Sequence, residues 1–128
     1  MSQMLLPVTL TFIGILAILL IPLTGWVGLR RDKIGGVLRG DGDDPTLFKL
    51  IRIHGNLMEN VPVFVLVLGA SEAAGLGSSW LWIAVLTFLV GRLLHFRLYD
   101  STRRGLAMLV TLLPGALMAF WLLLKIWL

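Results

Sequence analysis

The sequence lacks cysteine altogether, which excludes disulfide bonds, thiolate metal sites and a cysteine nucleophile. Any thiol chemistry would therefore need a thiol carried by a substrate. Charge is also scarce, because charged residues make up 14% of the 128 residues whereas hydrophobic residues make up 58%. A soluble domain of this length could not bury that much apolar surface, so we expect a single domain whose solvent is lipid.

Other kinds of site are excluded by further absences. The two histidines lie 41 positions apart and cysteine is missing, so no metal site is expected. No lysine–serine or lysine–threonine pair follows the glycines of residues 30–44, so no phosphate loop is expected. The net charge of +4 comes from basic residues at the ends of apolar segments, which argues against nucleic-acid binding. Residues 1–29 carry no charge and lack the basic start of a signal peptide, so we expect a retained helix.

Four apolar blocks fill most of the chain, at about residues 5–27, 50–75, 80–98 and 106–127. Each is near the ~20 residues that a helix needs to cross a bilayer. Tryptophans cluster at the block ends, where aromatic side chains meet the membrane interface. The sequence therefore predicts an all-α integral membrane protein, with residues 1–128 forming one four-transmembrane-helix bundle of up-down topology.

The links between the blocks differ in charge. Link one (residues 30–44) and link three (residues 100–105), with the residues beside them, carry every lysine and arginine except Lys125. Link two (residues 74–79) is uncharged, and Glu72 just before it is expected to be solvated. In an up-down bundle, links one and three lie on the same side of the membrane. The positive-inside rule assigns that side to the cytoplasm. Both termini are then expected on the opposite side.

The second block begins with a polar stripe in the segment RIHGNLMENVP. A helix turns about 100° per residue, so Arg52, Asn56 and Glu59, at i, i+4 and i+7, share one face. Ionisable groups at membrane depth are costly and usually face a protein interior or a wet cavity. Two interpretations are open: a ligand site, and an internal clamp in which Arg52 neutralises Glu59.

The third block ends with a second polar stripe. Arg92, His95 and Tyr99, at i, i+3 and i+7, share a face at the same end of the bundle, whereas Arg97 points away from it. Two polar faces at one depth can converge on one site. Arginine forks match carboxylates and Glu59 can take an ammonium, so the combined set suits a small anion with carboxylates and one amine. For Arg92, snorkelling to lipid headgroups is an equally good interpretation.

The motifs RIHGNLMENVPVF and GRLLHFRLYDSTRRG, with a proline in the last block, resemble the MAPEG family of membrane-associated proteins in eicosanoid and glutathione metabolism. The resemblance covers essentially the whole chain and is nearest to a bacterial branch similar to microsomal glutathione transferases. It implies a homotrimer of four-helix protomers, with glutathione as co-substrate near the cytoplasmic face. It also implies a bacterial inner membrane, with both termini periplasmic.

The resemblance extends to individual residues. Arg52, Asn56 and Glu59 match glutathione-holding positions of the family's second helix. Arg30 and Arg31 resemble the arginine pair that closes its first helix, and either ligand binding or a topology signal would explain them. The position of Arg92 on the second stripe adds a sixth candidate for binding glutathione. The residues implied to act on the thiol are Arg104, Tyr99 and His95, and Arg104 matches an arginine proposed to stabilise the thiolate. Gly105 and Met108 replace a serine and a tyrosine of an eicosanoid-making relative, so a dedicated prostaglandin synthase is not expected.

The function implied by the resemblance is a membrane-bound glutathione-dependent transferase or peroxidase. An activated glutathione thiolate would attack a hydrophobic electrophile or a lipid hydroperoxide that arrives from the membrane lipid. Two alternatives stay open: a non-catalytic lipid- or glutathione-binding protein of the same fold, and a small multidrug transporter. Four-helix exporters carry a functional glutamate in the first helix, and the first apolar block here has none.

Overall fold

The computed structural model describes residues 5–128 as four α-helices: α1 (Pro7–Lys33), α2 (Pro45–Ala73), α3 (Ser78–Arg97) and α4 (Arg104–Trp127). The described residues contain no β-strand. All four helices are long and apolar enough to cross a membrane. The chain is therefore an integral membrane protein with an all-α, four-helix fold, and the predicted fold class is confirmed.

We call the end of the bundle that carries links one and three the basic end. Two helices extend beyond their apolar blocks at this end. α1 was predicted to end near residue 27 but continues to Lys33, because basic side chains in its last turn complement the helix dipole. α2 begins at Pro45 rather than near residue 50, because Asp44 caps it by accepting a hydrogen bond from Leu47 N at 2.6 Å. The other predicted bounds lie within two residues of the observed ones.

The contacts at the two ends of the bundle are those expected for an up-down topology. At the basic end, Lys49 near the start of α2 forms an ion pair of 2.7 Å with Asp100, just past α3. At the far end, Lys125 near the end of α4 donates a hydrogen bond to the carbonyl of Ala74, just past α2. Over the described residues, α2 and α3 each contact all three other helices, whereas α1 and α4 do not touch. The α2–α3 pair therefore forms the centre of the bundle.

Three phenylalanines from three helices form the centre of the core. Phe12 of α1, Phe64 of α2 and Phe88 of α3 are all buried. The rings of Phe64 and Phe88 stack with their centroids 4.4 Å apart, and Phe12 meets them edge-on at 5.3 and 5.6 Å. Because an aromatic pair contributes about 0.5–1.5 kcal/mol beyond the burial of its area, this cluster ties α1 to the other helices.

Glu72 caps the start of α1 rather than being solvated as the sequence suggested. Its carboxylate accepts hydrogen bonds from Val8 N at 2.9 Å, Thr9 N at 2.8 Å and Thr9 Oγ1 at 2.7 Å. The first amides of a helix have no partner within that helix, and α1 has no side-chain cap of its own. A cap supplied by another helix, 63 residues away in sequence, leaves no local pattern to detect.

The distance between α3 and α4 is set by a glycine. A Cβ added at Gly91 would lie 2.6 Å from Thr111 N and 2.8 Å from Thr111 Cα. These are backbone atoms, so they could not move aside without shifting α4. Thr111 is buried, and the contact therefore requires the absence of a side chain at Gly91.

We predict that Gly91→Ala destabilises the protein, because overpacking a closely packed contact costs about 1–3 kcal/mol. The melting midpoint in mild detergent should fall. Gly14→Ala in α1 is the matched control, because a Cβ there meets no atom within 4 Å. Alanine also favours a helix over glycine by about 1 kcal/mol, so the control should match or exceed the parent. Equal midpoints for the two variants would contradict this packing account.

Candidate functional site

A polar cavity of about 630 Å³ opens at the basic end, between the start of α2, the end of α3 and the start of α4. Its lining includes five of the predicted site residues, namely Arg52, Asn56, His95, Tyr99 and Arg104. The remaining lining residues are Phe48, Thr102, Gly105 and Met108. The two polar stripes therefore converge in one protomer, whereas the roles of their residues stay predictions.

His95 forms the buried wall of this cavity. It is only 4% exposed, and its Nε2 lies 3.4 Å from Asn56 Nδ2 across the α2–α3 contact. The Tyr99 ring meets the imidazole edge-on, with centroids 5.7 Å apart. Held by side chains of α2 and of the turn after α3, His95 is fixed in position. An imidazole so placed can hydrogen-bond a ligand in the cavity.

Tyr99 lies in the turn beyond α3, and two cations face its ring. Arg104 Cζ is 5.8 Å and Lys49 Nζ is 5.6 Å from the ring centroid, within the range of cation–π contacts. Lys49 also pairs with Asp100 of the same turn. Lys49 therefore fixes the turn to α2, and sequence reasoning missed it. Its position one helical turn before Arg52 was the feature of the sequence that could have indicated a role near the cavity.

The electrostatics of the cavity favour an anion. Arg52 and Arg104 both line it, and none of the nine lining residues is acidic. A guanidinium has five donors in a planar fork that fits carboxylates. The cavity can therefore bind a small molecule with carboxylate groups, and it offers a phenol and an imidazole beside them.

Glu59 does not line this cavity, although the sequence placed it on the same stripe. It is exposed and lies in a separate groove of about 340 Å³ between α2 and α4, together with Asn60 and Thr111. Seven residues of helix carry Glu59 roughly 10 Å along α2 from Arg52. At that depth the neighbour of α2 is the body of α4 rather than the turn before it. The proposed clamp between Arg52 and Glu59 is absent from the ion pairs of the described chain.

Arg92 lies behind the polar cavity instead of lining it. Its Nε and Nη2 donate to Thr111 Oγ1 at 3.1 and 2.8 Å, and Nη2 also donates to Met108 Sδ at 3.0 Å. Both partners belong to α4, and Met108 is part of the cavity wall. Arg92 thus joins α3 to α4 rather than snorkelling, and it orients a wall residue.

Arg30 and Arg31 are engaged within link one, away from the cavity. Arg30 donates from Nε and Nη2 to the two carboxylate oxygens of Asp44, at 3.0 and 2.6 Å. Arg31 Nη1 donates to the carbonyls of Val37 and Gly40, at 3.0 and 2.9 Å. In the described protomer this arginine pair therefore shapes the link and the cap of α2. No three His, Asp or Glu side chains of residues 5–128 lie together as metal ligands would.

Comparison with known proteins gives a family match. The family model described as the MAPEG family matches residues 9–124. The inner membrane protein YecN of Escherichia coli K12 is 33% identical over 76 residues, covering 56% of this chain and 58% of the relative. YecN of E. coli O6:H1 matches to the same extent. The matched region thus spans somewhat more than half the length of these relatives, and no solved structure matches the chain.

The pairing of Arg30 with Asp44 predicts an acid-sensitive cap. The Arg30 guanidinium, followed by the Leu47 amide, lowers the pKa of the Asp44 carboxyl below its ordinary value. The carboxylate therefore stabilises the fold fully above that ordinary pKa, and this contribution is lost as the pH falls through the lowered value. Arg30→Gln should raise the folded-state pKa toward its ordinary value, so the variant should be less stable than the parent at neutral pH and should lose less stability on acidification.

The measurement is the melting midpoint in detergent across the acidic range. Lys33→Gln removes one charge from the same last turn of α1 and serves as the control, because Lys33 has no carboxylate partner in the described chain. An acid profile of Arg30→Gln that coincides with that of Lys33→Gln would rule out this role for the ion pair.

Proposed function

The chain belongs to the MAPEG family, and from this premise we propose that it is a membrane-bound glutathione-dependent transferase or peroxidase. The observation that carries the proposal is the acid-free cavity, which places two arginines, an asparagine, a tyrosine and a buried histidine together. Such a lining favours a ligand with carboxylates. Glutathione offers two carboxylates, one ammonium and one thiol.

The cavity and the stripe on α2 suggest how the tripeptide lies. One carboxylate would meet Arg52, and Asn56 one turn further along would hydrogen-bond the peptide. Glu59 lies roughly 10 Å beyond Arg52 along the same helix, which is within the reach of an extended tripeptide. Its exposed carboxylate is the acidic side chain in this direction and would take the ammonium. The residues of α2 would then contact the tripeptide along its whole length.

The chemistry would take place at the turn between α3 and α4. A free thiol has a pKa near 8.5, and a nearby cation increases the fraction of thiolate at neutral pH. Arg104 would stabilise the sulfur anion, with the Tyr99 hydroxyl and the His95 imidazole as hydrogen-bonding partners. The thiolate would form a bond to an electrophilic carbon and displace its leaving group. With a lipid hydroperoxide it would instead attack the terminal peroxide oxygen and break the O–O bond, which gives a lipid alcohol and glutathione sulfenic acid. A second glutathione would reduce the sulfenic acid to glutathione disulfide and water. The second substrate would reach the cavity from the surrounding lipid.

The location and the orientation belong to the same proposal. The relative YecN is named an inner membrane protein, and we extend that location to this chain. The basic end carries links one and three, so the positive-inside rule assigns it to the cytoplasm. The polar cavity opens at that end, where glutathione is abundant. The transporter alternative is less well supported, because the apolar part of α1 carries no acidic side chain.

The outward face of α2 argues for a homotrimer. Glu59 is exposed within a membrane-spanning helix, and an ionised side chain facing lipid is costly. Beside it, a Cβ at Gly55 would meet only the carboxylate of Glu59, at 4.0 Å, so this face has room for a close neighbour. A second copy would shield Glu59, and the family resemblance implies three copies.

We predict that native mass spectrometry from mild detergent detects trimers. Gly55→Trp should shift the population toward monomers, because the indole would occupy the space for a neighbouring helix. Gly14→Trp, on α1 where nothing lies within 4 Å, serves as the control for added bulk. Monomers or dimers as the sole species of the parent protein would refute the trimer.

We predict that Arg52→Ala weakens glutathione binding about 10- to 100-fold, since a hydrogen bond to a charged group is worth about 1.5–3 kcal/mol. Isothermal titration calorimetry on detergent-purified protein measures this. Arg39→Ala removes an exposed arginine of link one outside the cavity and should bind like the parent. Unchanged affinity in folded Arg52→Ala would sink the proposed binding mode.

We predict that bound glutathione shows the ultraviolet absorbance of a thiolate at neutral pH. Arg104→Ala should remove this absorbance and slow the conjugation of a reactive aryl halide, whereas binding through Arg52 persists. Arg104→Lys should be intermediate, because it keeps the charge but loses the planar fork. Arg103→Ala is the matched control, since Arg103 is adjacent in sequence but does not line the cavity. Normal turnover in Arg104→Ala would move the role to Tyr99 or His95.

A further inference from the structure

An apolar groove of about 460 Å³ separates α1 from α3 on the surface of the bundle. Two similar grooves lie between α1 and α2 and between α3 and α4, and no charged or histidine side chain lines either of them. The α1–α3 groove differs, because Arg92 and His95 are part of its lining. It also ends at an aromatic pair, Trp26 and Phe96, whose ring centroids are 6.2 Å apart.

Basic side chains continue both walls of the groove toward the basic end. On α3, Leu89 and Leu93 line the groove, and Arg97 follows at the same four-residue spacing, so it lies on the same face. On α1, Trp26 lines the groove, and Lys33 follows seven residues later on the same face. Arg97 and Lys33 are exposed, and neither has a carboxylate within 4.0 Å among the described residues.

Arg97 and Lys33 are therefore two cations at the end of the apolar α1–α3 groove. Arg30 lies on the same α1 face, but its charge is balanced by the ion pair with Asp44. Arg97 follows Phe96, which contacts Trp26, and Lys33 lies about two helical turns beyond Trp26 toward the basic end. Tryptophan favours the membrane–water interface, so both cations lie at or just beyond that interface. Cations at headgroup level above an apolar groove between helices complement a molecule with a negative head and a hydrocarbon tail.

We propose that the α1–α3 groove is a binding site for an anionic phospholipid of the leaflet that faces the basic end. One acyl chain lies against the leucines of α1 and α3, and the phosphate lies between Arg97 and Lys33. The indole of Trp26 marks the boundary between the tail and the head. A zwitterionic lipid offers the same chain, but its ammonium opposes the two cations. The groove shares the His95 wall with the polar cavity, but binding of the lipid does not depend on glutathione.

The test is native mass spectrometry of the full chain released from nanodiscs that hold equal amounts of phosphatidylglycerol and phosphatidylcholine with identical chains. The parent protein should retain phosphatidylglycerol in preference. Arg97→Gln with Lys33→Gln should reduce that preference by about fivefold for each charge removed. Leu93→Trp should reduce the retention of both lipids, because the indole fills the groove.

Two matched variants serve as controls. Arg103→Gln removes a charge at the same end but at the start of α4, which does not contact α1 in the described chain, and should keep the preference. Leu86→Trp adds the same bulk to an exposed position of α3 that lines none of the three grooves, and should retain both lipids. Equal retention of the two lipids by the parent, or an unchanged preference in the double variant, would overturn the proposal.

Discussion

The constraint on which this structure depends is that a polar group inside a bilayer must find its partner within the protein. Three contacts in the described chain meet this constraint by pairing helices through polar side chains, whereas Glu59 forms no ion pair there. Glu72 of α2 caps α1, Arg92 of α3 reaches Thr111 of α4, and His54 of α2 lies 3.3 Å from Thr24 of α1. Apolar side chains gain little free energy when they exchange contacts with lipid for contacts with another helix. Polar contacts of this kind and close packing therefore determine the arrangement of the helices.

The sequence contains enough information for the fold but less for the connections between helices. Four apolar blocks predict four helices, because the hydrocarbon thickness sets the length of a span. The two polar stripes also predict the cavity, because helical periodicity places Asn56 and His95 on the polar faces of their helices, and both faces lie at the same end of the bundle. The cap by Glu72 and the pairing of Lys49 with Asp100 could not be predicted. They join residues far apart in sequence, and their geometry follows from how the helices cross.

Glu59 shows where a periodic pattern stops being informative. Its spacing from Arg52 places both on one helical face, and that much is correct. A helical face, however, changes its neighbour along its length: the turn before α4 lies opposite Arg52, whereas the body of α4 lies opposite Glu59. In the proposed trimer, a second protomer would add a further neighbour that no single-chain pattern describes. The partner of Glu59 would then depend on assembly.

His95 lies between the polar cavity and the apolar α1–α3 groove. It lines both the polar cavity, which holds Arg52 and Arg104, and the apolar groove between α1 and α3. In the proposed function, the thiolate lies in the polar cavity and the second substrate comes from the lipid, so the two would meet at a wall that borders both. The imidazole can form such a wall, because one side of the ring can hydrogen-bond while the other contacts hydrocarbon. Its burial between α2 and Tyr99 holds it in that position.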